Sequence, residues 1–416
     1  MKSEIAPTDP APNNEVIANL LTRGVSDIIP RELVERRLRR GDRLRIYFGV
    51  DPTSPVIHIG HTVCLRKLRA FQDAGHEVIL LIGDFTGRIG DPTDRSATRV
   101  QLTHEQVLQN ARTYKEQAAK ILDFDSPTNP VVVRFNGEWL DKLTFREVLE
   151  LASVFTVQQM AERDMYQRRL AENKPIGLHE FLYPLMQGYD SVALETDGEI
   201  GGTDQTFNML AGRTLLQVLK GKEKFVITMP LLEGTDGRKM SKSFGNVIGV
   251  SDPPSDMYGR VMSLKDELII KYFELCTNVP DAEIAAMRAQ LEAGVNPMLL
   301  KKRLARQIVT EFHSAEDAAA AERDFERVVQ AREVPEEIPE VRLDSLRDLT
   351  MVDLVLACAL APSRSAARRL VEQGGVEIDG TRITDPRAPA QVRNGSIVRG
   401  GKRKYVRISI PANLTV

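Results

Sequence analysis

One stretch narrows the folds open to this chain more than any other: Tyr47-Phe-Gly-Val-Asp51-Pro-Thr53-Ser-Pro-Val-Ile-His58-Ile-Gly60-His61. Residues 43–50 alternate and are rich in β-formers, which predicts a strand. Asp51-Pro-Thr-Ser-Pro is turn chemistry. From Ile59 the apolar residues Val63, Leu65, Leu68 and Phe71 recur at helical spacing. Strand-like and helix-like segments go on alternating over residues 30–247, as a parallel α/β sheet requires. Val78-Ile-Leu-Leu-Ile82 is wholly apolar, as in a buried central strand. Ligands in such sheets sit beyond the carboxyl ends of the strands. His58 and His61 therefore stand at a helix start beside the ligand crevice and point the same way. Gly60 between them has no Cβ, so a flat group can lie against the backbone. A helix N-terminus favours anions, and two imidazoles there can donate hydrogen bonds to phosphate oxygens as charge develops.

A second motif lies downstream, Lys239-Met240-Ser241-Lys242-Ser243. A short apolar strand, Phe225 to Leu232, runs through a Gly-rich turn into this basic loop. Small residues between two lysines suit a mobile loop that closes on an anion, and compact ammonium groups suit a leaving pyrophosphate. An isolated His-x-x-His is more often a cap and a surface residue, and an isolated Lys-Ser loop is often only solvated. In this order and at this separation, the two motifs point to ATP binding with attack on the α-phosphate.

His-Ile-Gly-His followed by Lys-Met-Ser-Lys-Ser resembles the class I aminoacyl-tRNA synthetases. The remaining motifs resemble the bacterial tyrosyl-tRNA synthetase family from about residue 30 to the C-terminus. The resemblance implies a Rossmann-like parallel-sheet catalytic domain over 16–250, with a connective insertion at about 125–175. It further implies a helical tRNA anticodon-binding domain over 251–332 and a small α+β S4-type RNA-binding domain over 345–416. Tyr183, Gln187 and Asp190 form one polar stripe on a helix beginning near Leu178 whose other faces are apolar, so the stripe can line a pocket. By resemblance, Tyr47 and Asp190 bind a substrate phenol. Asp91, Tyr183 and Gln187, with Thr86 nearby, bind the α-ammonium group, and Gln205 meets the aminoacyl carbonyl. The catalytic set implied is His58, His61, Lys239, Lys242 and Thr53. ATP is held by Asp51, Gly60, Gly202, Asp204, Arg95, Arg99, Met240, Ser241 and Ser243. Mg²⁺ travels with ATP; no protein metal cage and no prosthetic group are expected. The implied substrates are L-tyrosine, ATP and tRNA(Tyr), and the implied assembly is a homodimer with contacts in the insertion. A site built around a phenol leaves polar groups unpaired when phenylalanine enters, so it discriminates without an editing domain.

Composition sets the remaining expectations. The 416 residues, 42% of them apolar, can bury a core large enough for two or three domains. No apolar run reaches membrane-spanning length, and the acidic, Pro-rich start reads as a disordered tail over 1–15, so a cytoplasmic protein is expected. Cys64, Cys276 and Cys358 are odd in number and far apart, which suggests reduced thiols. The net charge of −2 is unevenly spread: from Pro362 onward eleven Lys/Arg stand against four Asp/Glu. An acidic linker is expected over 333–344. Arg364, Arg368 and Arg369, with Lys402, Arg403 and Lys404, form the candidate RNA contacts.

The chain departs from many bacterial relatives at Glu199, where they have Gln, and at Thr206-Phe207, where they have Trp-Gly. That leaves the role of Glu199 open. Three alternatives bear on the function. A tryptophanyl-tRNA synthetase lacks the Tyr47/Asp190 pair and the basic tail. A small-molecule nucleotidyltransferase is shorter. An RNA-binding protein on an inactive scaffold would have lost some of His58, His61, Lys239 and Lys242, all of which are present here.

Overall fold

The computed structural model describes residues 14–93, 102–240, 244–327, 338–343, 349–401 and 404–411. The chain divides into two compact units, Met1–Ser314 and Ala315–Val416.

The first unit is built on six strands: β1 (Asp27–Ile29), β2 (Arg45–Val50), β3 (Glu77–Ile82), β4 (Val132–Phe135), β5 (Gly198–Gly202) and β6 (Phe225–Met229). Their order is β1-β6-β5-β2-β3-β4. All neighbours run parallel except β1, which closes the edge antiparallel to β6. Val78 to Ile82 and the whole of β6 are buried, which is why they read as unbroken apolar runs and not as alternation. The chain lays β2, β3 and β4 to one side, then returns to place β5 and β6 on the other side of β2. The reversal between β2 and β5 opens a crevice at their carboxyl ends. Helix Ile59–Asp73 follows β2 and helix Thr206–Lys220 follows β5, so both N-termini arrive there. Helix Leu178–Leu194 packs tightly on Thr206–Lys220: a Cβ at Gly188 would stand 3.1 Å from the Gly212 backbone nitrogen. The expected capping boxes at Thr103/Gln106 and Thr144/Glu147 both form. Helices Pro254–Met262, Ile269–Cys276, Asp281–Glu292 and Pro297–Phe312 complete this unit around buried Tyr258, Tyr272, Phe273 and Ile308.

The second unit is α+β. It contains helix Ala315–Phe325, β7 (Glu340–Arg342), helices Met351–Ala357 and Arg364–Glu372, β8 (Val376–Ile378), β9 (Thr381–Ile383), β10 (Ile397–Gly400) and β11 (Lys404–Ser409). The strands order as β7-β11-β10-β8-β9 over a core that includes Leu354, Val355, Ala367, Val398 and Ile408.

Three boundaries differ from the sequence expectation. A helix starts at Asn14, inside the expected tail, because Ile17, Leu20 and Leu21 bury one stripe of it; residues 1–13 lie outside the described residues. The expected linker overlaps β7, where Val341 and Leu343 pack on the second core while the flanking charges stay exposed. An edge strand needs only such an alternation, which Glu- and Pro-rich surroundings conceal. The chain divides between Ser314 and Ala315, so helix Ala315–Phe325 groups with the second unit and not with the helices before it.

Candidate active site

A cavity of about 360 Å³ occupies the crevice between β2 and β5. Its buried end is lined by Tyr47 from β2 and by Tyr183, Gln187 and Asp190 from helix Leu178–Leu194. Its exposed end is lined by Thr53, His58, Gly60, His61, Lys239 and Met240. The stripe at i, i+4 and i+7 thus faces a pocket and not solvent, and both sequence motifs open on the same space.

At the buried end, Tyr47 is fully buried with its Oη 2.8 Å from Ser191 Oγ. Asp190 accepts from Trp139 Nε1 at 2.8 Å and from Asn136 Nδ2 at 3.3 Å. Burial pushes the Asp190 carboxyl well above the usual range, and those two donors oppose the shift. Burial also raises the Tyr47 phenol, helped by the Glu199 and Asp190 charges. Lys224, fully buried, donates to the Glu199 carboxylate, to Ser191 Oγ at 2.6 Å and to the Met209 carbonyl at 3.3 Å. Glu199 in turn accepts from Gln187 Nε2 at 3.2 Å.

In the middle, Asp51 accepts from Thr86 Oγ1 at 2.6 Å and from Tyr183 Oη at 2.8 Å. Expected on the ATP side, Asp51 here braces two residues expected on the amino-acid side. Only glycine fits at position 83, since a Cβ would stand 2.0 Å from Asp51 Oδ1. Asp91 accepts from Gln205 Nε2 at 2.6 Å and from the Thr93 N–H at 2.9 Å. Arg163 donates to Thr93 Oγ1 at 2.9 Å and lies 4.7 Å over the Phe207 ring.

At the exposed end, the Gly60 N–H donates to His58 Nδ1 and the His58 N–H donates to His61 Nδ1, each at 3.2 Å. The rings stack with centroids 3.8 Å apart. With Nδ1 used as an acceptor, each neutral ring carries its proton on Nε2, the donor form that a phosphate oxygen requires. Lys239 Nζ lies 3.4 Å from Asp204 Oδ2, beside Gly202 at the end of β5. The Met240 sulfur covers Gly60, where a Cβ would stand 3.2 Å from it. Asn246 pins the base of the loop, donating to Asp236 Oδ1 at 2.8 Å and to the Lys239 carbonyl at 3.2 Å. Arg95, Arg99, Ser241, Lys242 and Ser243 lie outside the described residues.

In the second unit, Arg364, Arg368 and Arg369 are exposed on helix Arg364–Glu372, and Lys404 is exposed on β11. Arg364 pairs with Asp353 at 2.9 Å and Arg368 with Glu372 at 3.9 Å. Lys402 and Arg403 lie outside the described residues.

Residues 39–330 match the family of class I tRNA synthetases (W and Y), and residues 330–408 match the tyrosine–tRNA ligase SYY-like C-terminal domain. A tyrosine–tRNA ligase of Moorella thermoacetica is 51% identical over 395 residues, 94% of either chain. The chain belongs to the tyrosine–tRNA ligase family. The Thermotoga maritima member is 49% identical over 392 residues, covering 94% of this chain and 96% of that one. A C-terminally truncated mitochondrial tyrosyl-tRNA synthetase of Coccidioides posadasii is similar at TM-score 0.61 and 25% identity, over 74% of this chain and 91% of that one. Membership makes the chain a class I ligase that joins tyrosine to tRNA with ATP as a substrate, and it sets the tryptophan-specific alternative aside.

Several site residues are invisible to motif reading. Ser191, Asn136 and Trp139 fall outside every motif, although Trp139 is the sole tryptophan and merited notice on that ground. Arg163 and Lys224 sit in charged stretches that read as surface. Lys220-Gly-Lys-Glu-Lys224 resembles any solvated helix end, and only the start of β6 carries its last lysine inside.

Proposed function

We propose that the two ends of this cavity divide the adenylation step between them. Tyr47 and Asp190 hold the tyrosine phenol; Asp91, Tyr183 and Gln187, with Thr86 behind them, hold its ammonium group. Gln205 and Asp204 meet the carbonyl and the ribose. The carboxylate then attacks the α-phosphate of MgATP in line, without a protein nucleophile, so the rate comes from positioning and from charge stabilisation. Thr53, the His58/His61 pair, Lys239 and Lys242 stabilise the triphosphate, aided by Arg95 and Arg99, as the pyrophosphate leaves. The observation that carries this reading is the graded cavity: a buried hydrogen-bonding end beside Tyr47 and an exposed, donor-rich end at the helix N-terminus.

The exposed arginines of the second unit and the basic residues around Lys404 contact tRNA phosphates. The enzyme is a homodimer. Val132, Phe135, Phe145, Leu149, Val157, Leu170 and Leu178 are all exposed in and beside the insertion, which supports an apolar contact surface there. It works in the cytoplasm, a reading supported by three buried, unpaired cysteines.

The test is amino-acid-dependent ATP–pyrophosphate exchange with tyrosine, tryptophan and phenylalanine. Exchange with tyrosine alone is expected. His58→Ala should slow it with an unchanged KM for tyrosine, and Tyr47→Phe should raise that KM. A His58→Ala enzyme at full rate would overturn the division of labour.

A further inference from the structure

We propose that the Glu199–Lys224 ion pair sets the direction of the hydrogen-bond chain that reads the substrate's para-oxygen, making both residues positioning residues for amino-acid specificity. The inference rests on the assignment of Tyr47 and Asp190 to the phenol.

A lysine ammonium can only donate. Lys224 has three N–H groups and three acceptors: Glu199, Ser191 Oγ at 2.6 Å and the Met209 carbonyl at 3.3 Å. Ser191 Oγ therefore accepts from Lys224 and has its own hydrogen to give. Its other neighbour is Tyr47 Oη at 2.8 Å. In the proposed chain Ser191 gives that hydrogen to Tyr47, and Tyr47 keeps its own hydroxyl hydrogen as a donor. Across the cavity, Asp190 already takes two donors, Trp139 and Asn136, which oppose the effect of burial and favour its ionised form, and as a carboxylate it can only accept more. A group lodged between Tyr47 and Asp190 must accept from the first and donate to the second. A phenol does both, and the para C–H of phenylalanine does neither.

Glu199 makes this arrangement possible. It supplies the countercharge for a fully buried ammonium and takes Gln187 Nε2 at 3.2 Å, so one ion pair links the residues at the two ends of the amino acid. Its charge also raises the Tyr47 phenol, which keeps that hydroxyl protonated and able to donate. Gly212 leaves the space: a Cβ there would stand 2.6 Å from Ser191 Oγ and 2.8 Å from Lys224 Nζ. Buried ion pairs often add little to stability compared with apolar replacements, so a directional role accounts for this one better than a scaffolding role.

The experiment is pyrophosphate exchange with tyrosine and with phenylalanine, on the full chain. The enzymes compared are wild type, Ser191→Ala, the double variant Glu199→Gln/Lys224→Met, and Tyr47→Phe. Lys224→Met alone strands a buried carboxylate and risks unfolding, so the double variant removes both charges together, and Ser191→Ala breaks the chain with the ion pair intact. Both should raise the KM for tyrosine about tenfold, the order of one hydrogen bond, with the KM for ATP unchanged and kcat/KM for phenylalanine undiminished. The tyrosine-over-phenylalanine preference then falls about tenfold, which a general loss of packing would not produce. A preference within about twofold of wild type in folded Ser191→Ala overturns the proposal. If Tyr47→Phe loses the preference while Ser191→Ala and the double variant keep it, the relay alone fails. If Tyr47→Phe keeps it, the underlying assignment of Tyr47 fails.

Discussion

His76 makes the fold acid-labile at the root of the strand that carries Tyr47. It sits just before β3, is 4% exposed, and accepts the Leu44 N–H on Nδ1 at 3.3 Å, which holds the start of β2. Protonation would place a hydrogen on Nδ1 facing that N–H and a charge in a dry site near Arg43. Burial first, then Arg43, lower its pKa from 6.5 to about 4, with Asp197 opposing. The folded protein therefore binds fewer protons than the unfolded chain between those values. The contribution of a neutral His76 is present above pH 6.5 and is lost as pH falls toward about 4. The whole window is worth about 3 kcal/mol, of which about 2 kcal/mol falls between pH 7 and pH 4.5. That is a sizeable part of the roughly 5–15 kcal/mol of a typical domain. His76→Gln keeps an acceptor for Leu44 without titrating. Urea unfolding of both proteins at the two pH values reads the effect: wild type should lose about 2 kcal/mol more than the variant. Equal losses would refute the assignment.

Asp51→Asn should raise the KM for tyrosine about tenfold with little change in the KM for ATP, because both carboxylate oxygens serve Thr86 and Tyr183. Steady-state exchange kinetics separate the two, and the reverse pattern would return Asp51 to the ATP side. Asn246→Ala should lower kcat for exchange about tenfold with the KM for tyrosine unchanged, since it frees the base of the lysine loop. Limited proteolysis should then cut faster near residues 233–247. Gly188→Val pushes a side chain against the Gly212 backbone 3.1 Å away, and should destabilise by at least about 1–3 kcal/mol in a thermal melt.

Much of the architecture was legible because it rests on short-range patterns. The helical period from Ile59 and the caps at Thr103 and Thr144 are written within a turn and formed where expected, whereas the strand read over 43–50 formed as Arg45–Val50 with Ile46, Tyr47 and Phe48 all buried and no period of two. The edge strand β7 and the first helix were not legible, because Pro- and Glu-rich flanks hid short apolar sets whose worth depends on a partner surface.

By itself the sequence determined the fold class, the two ATP motifs and the family, since each is a local pattern or an order of patterns along the chain. Only the tertiary structure decided which polar groups meet. Strand register sets β5 beside β6 with Gly198 opposite Phe225, and this brings Lys224 to Glu199 across 25 residues of sequence. The approach of Gly188 to Gly212 brings Ser191 to that lysine, and the return of β5 to the side of β2 brings Tyr47 to Ser191. Hydrogen bonds act over about 3 Å, and nothing within a strand or helix says what will stand at that distance from the next one.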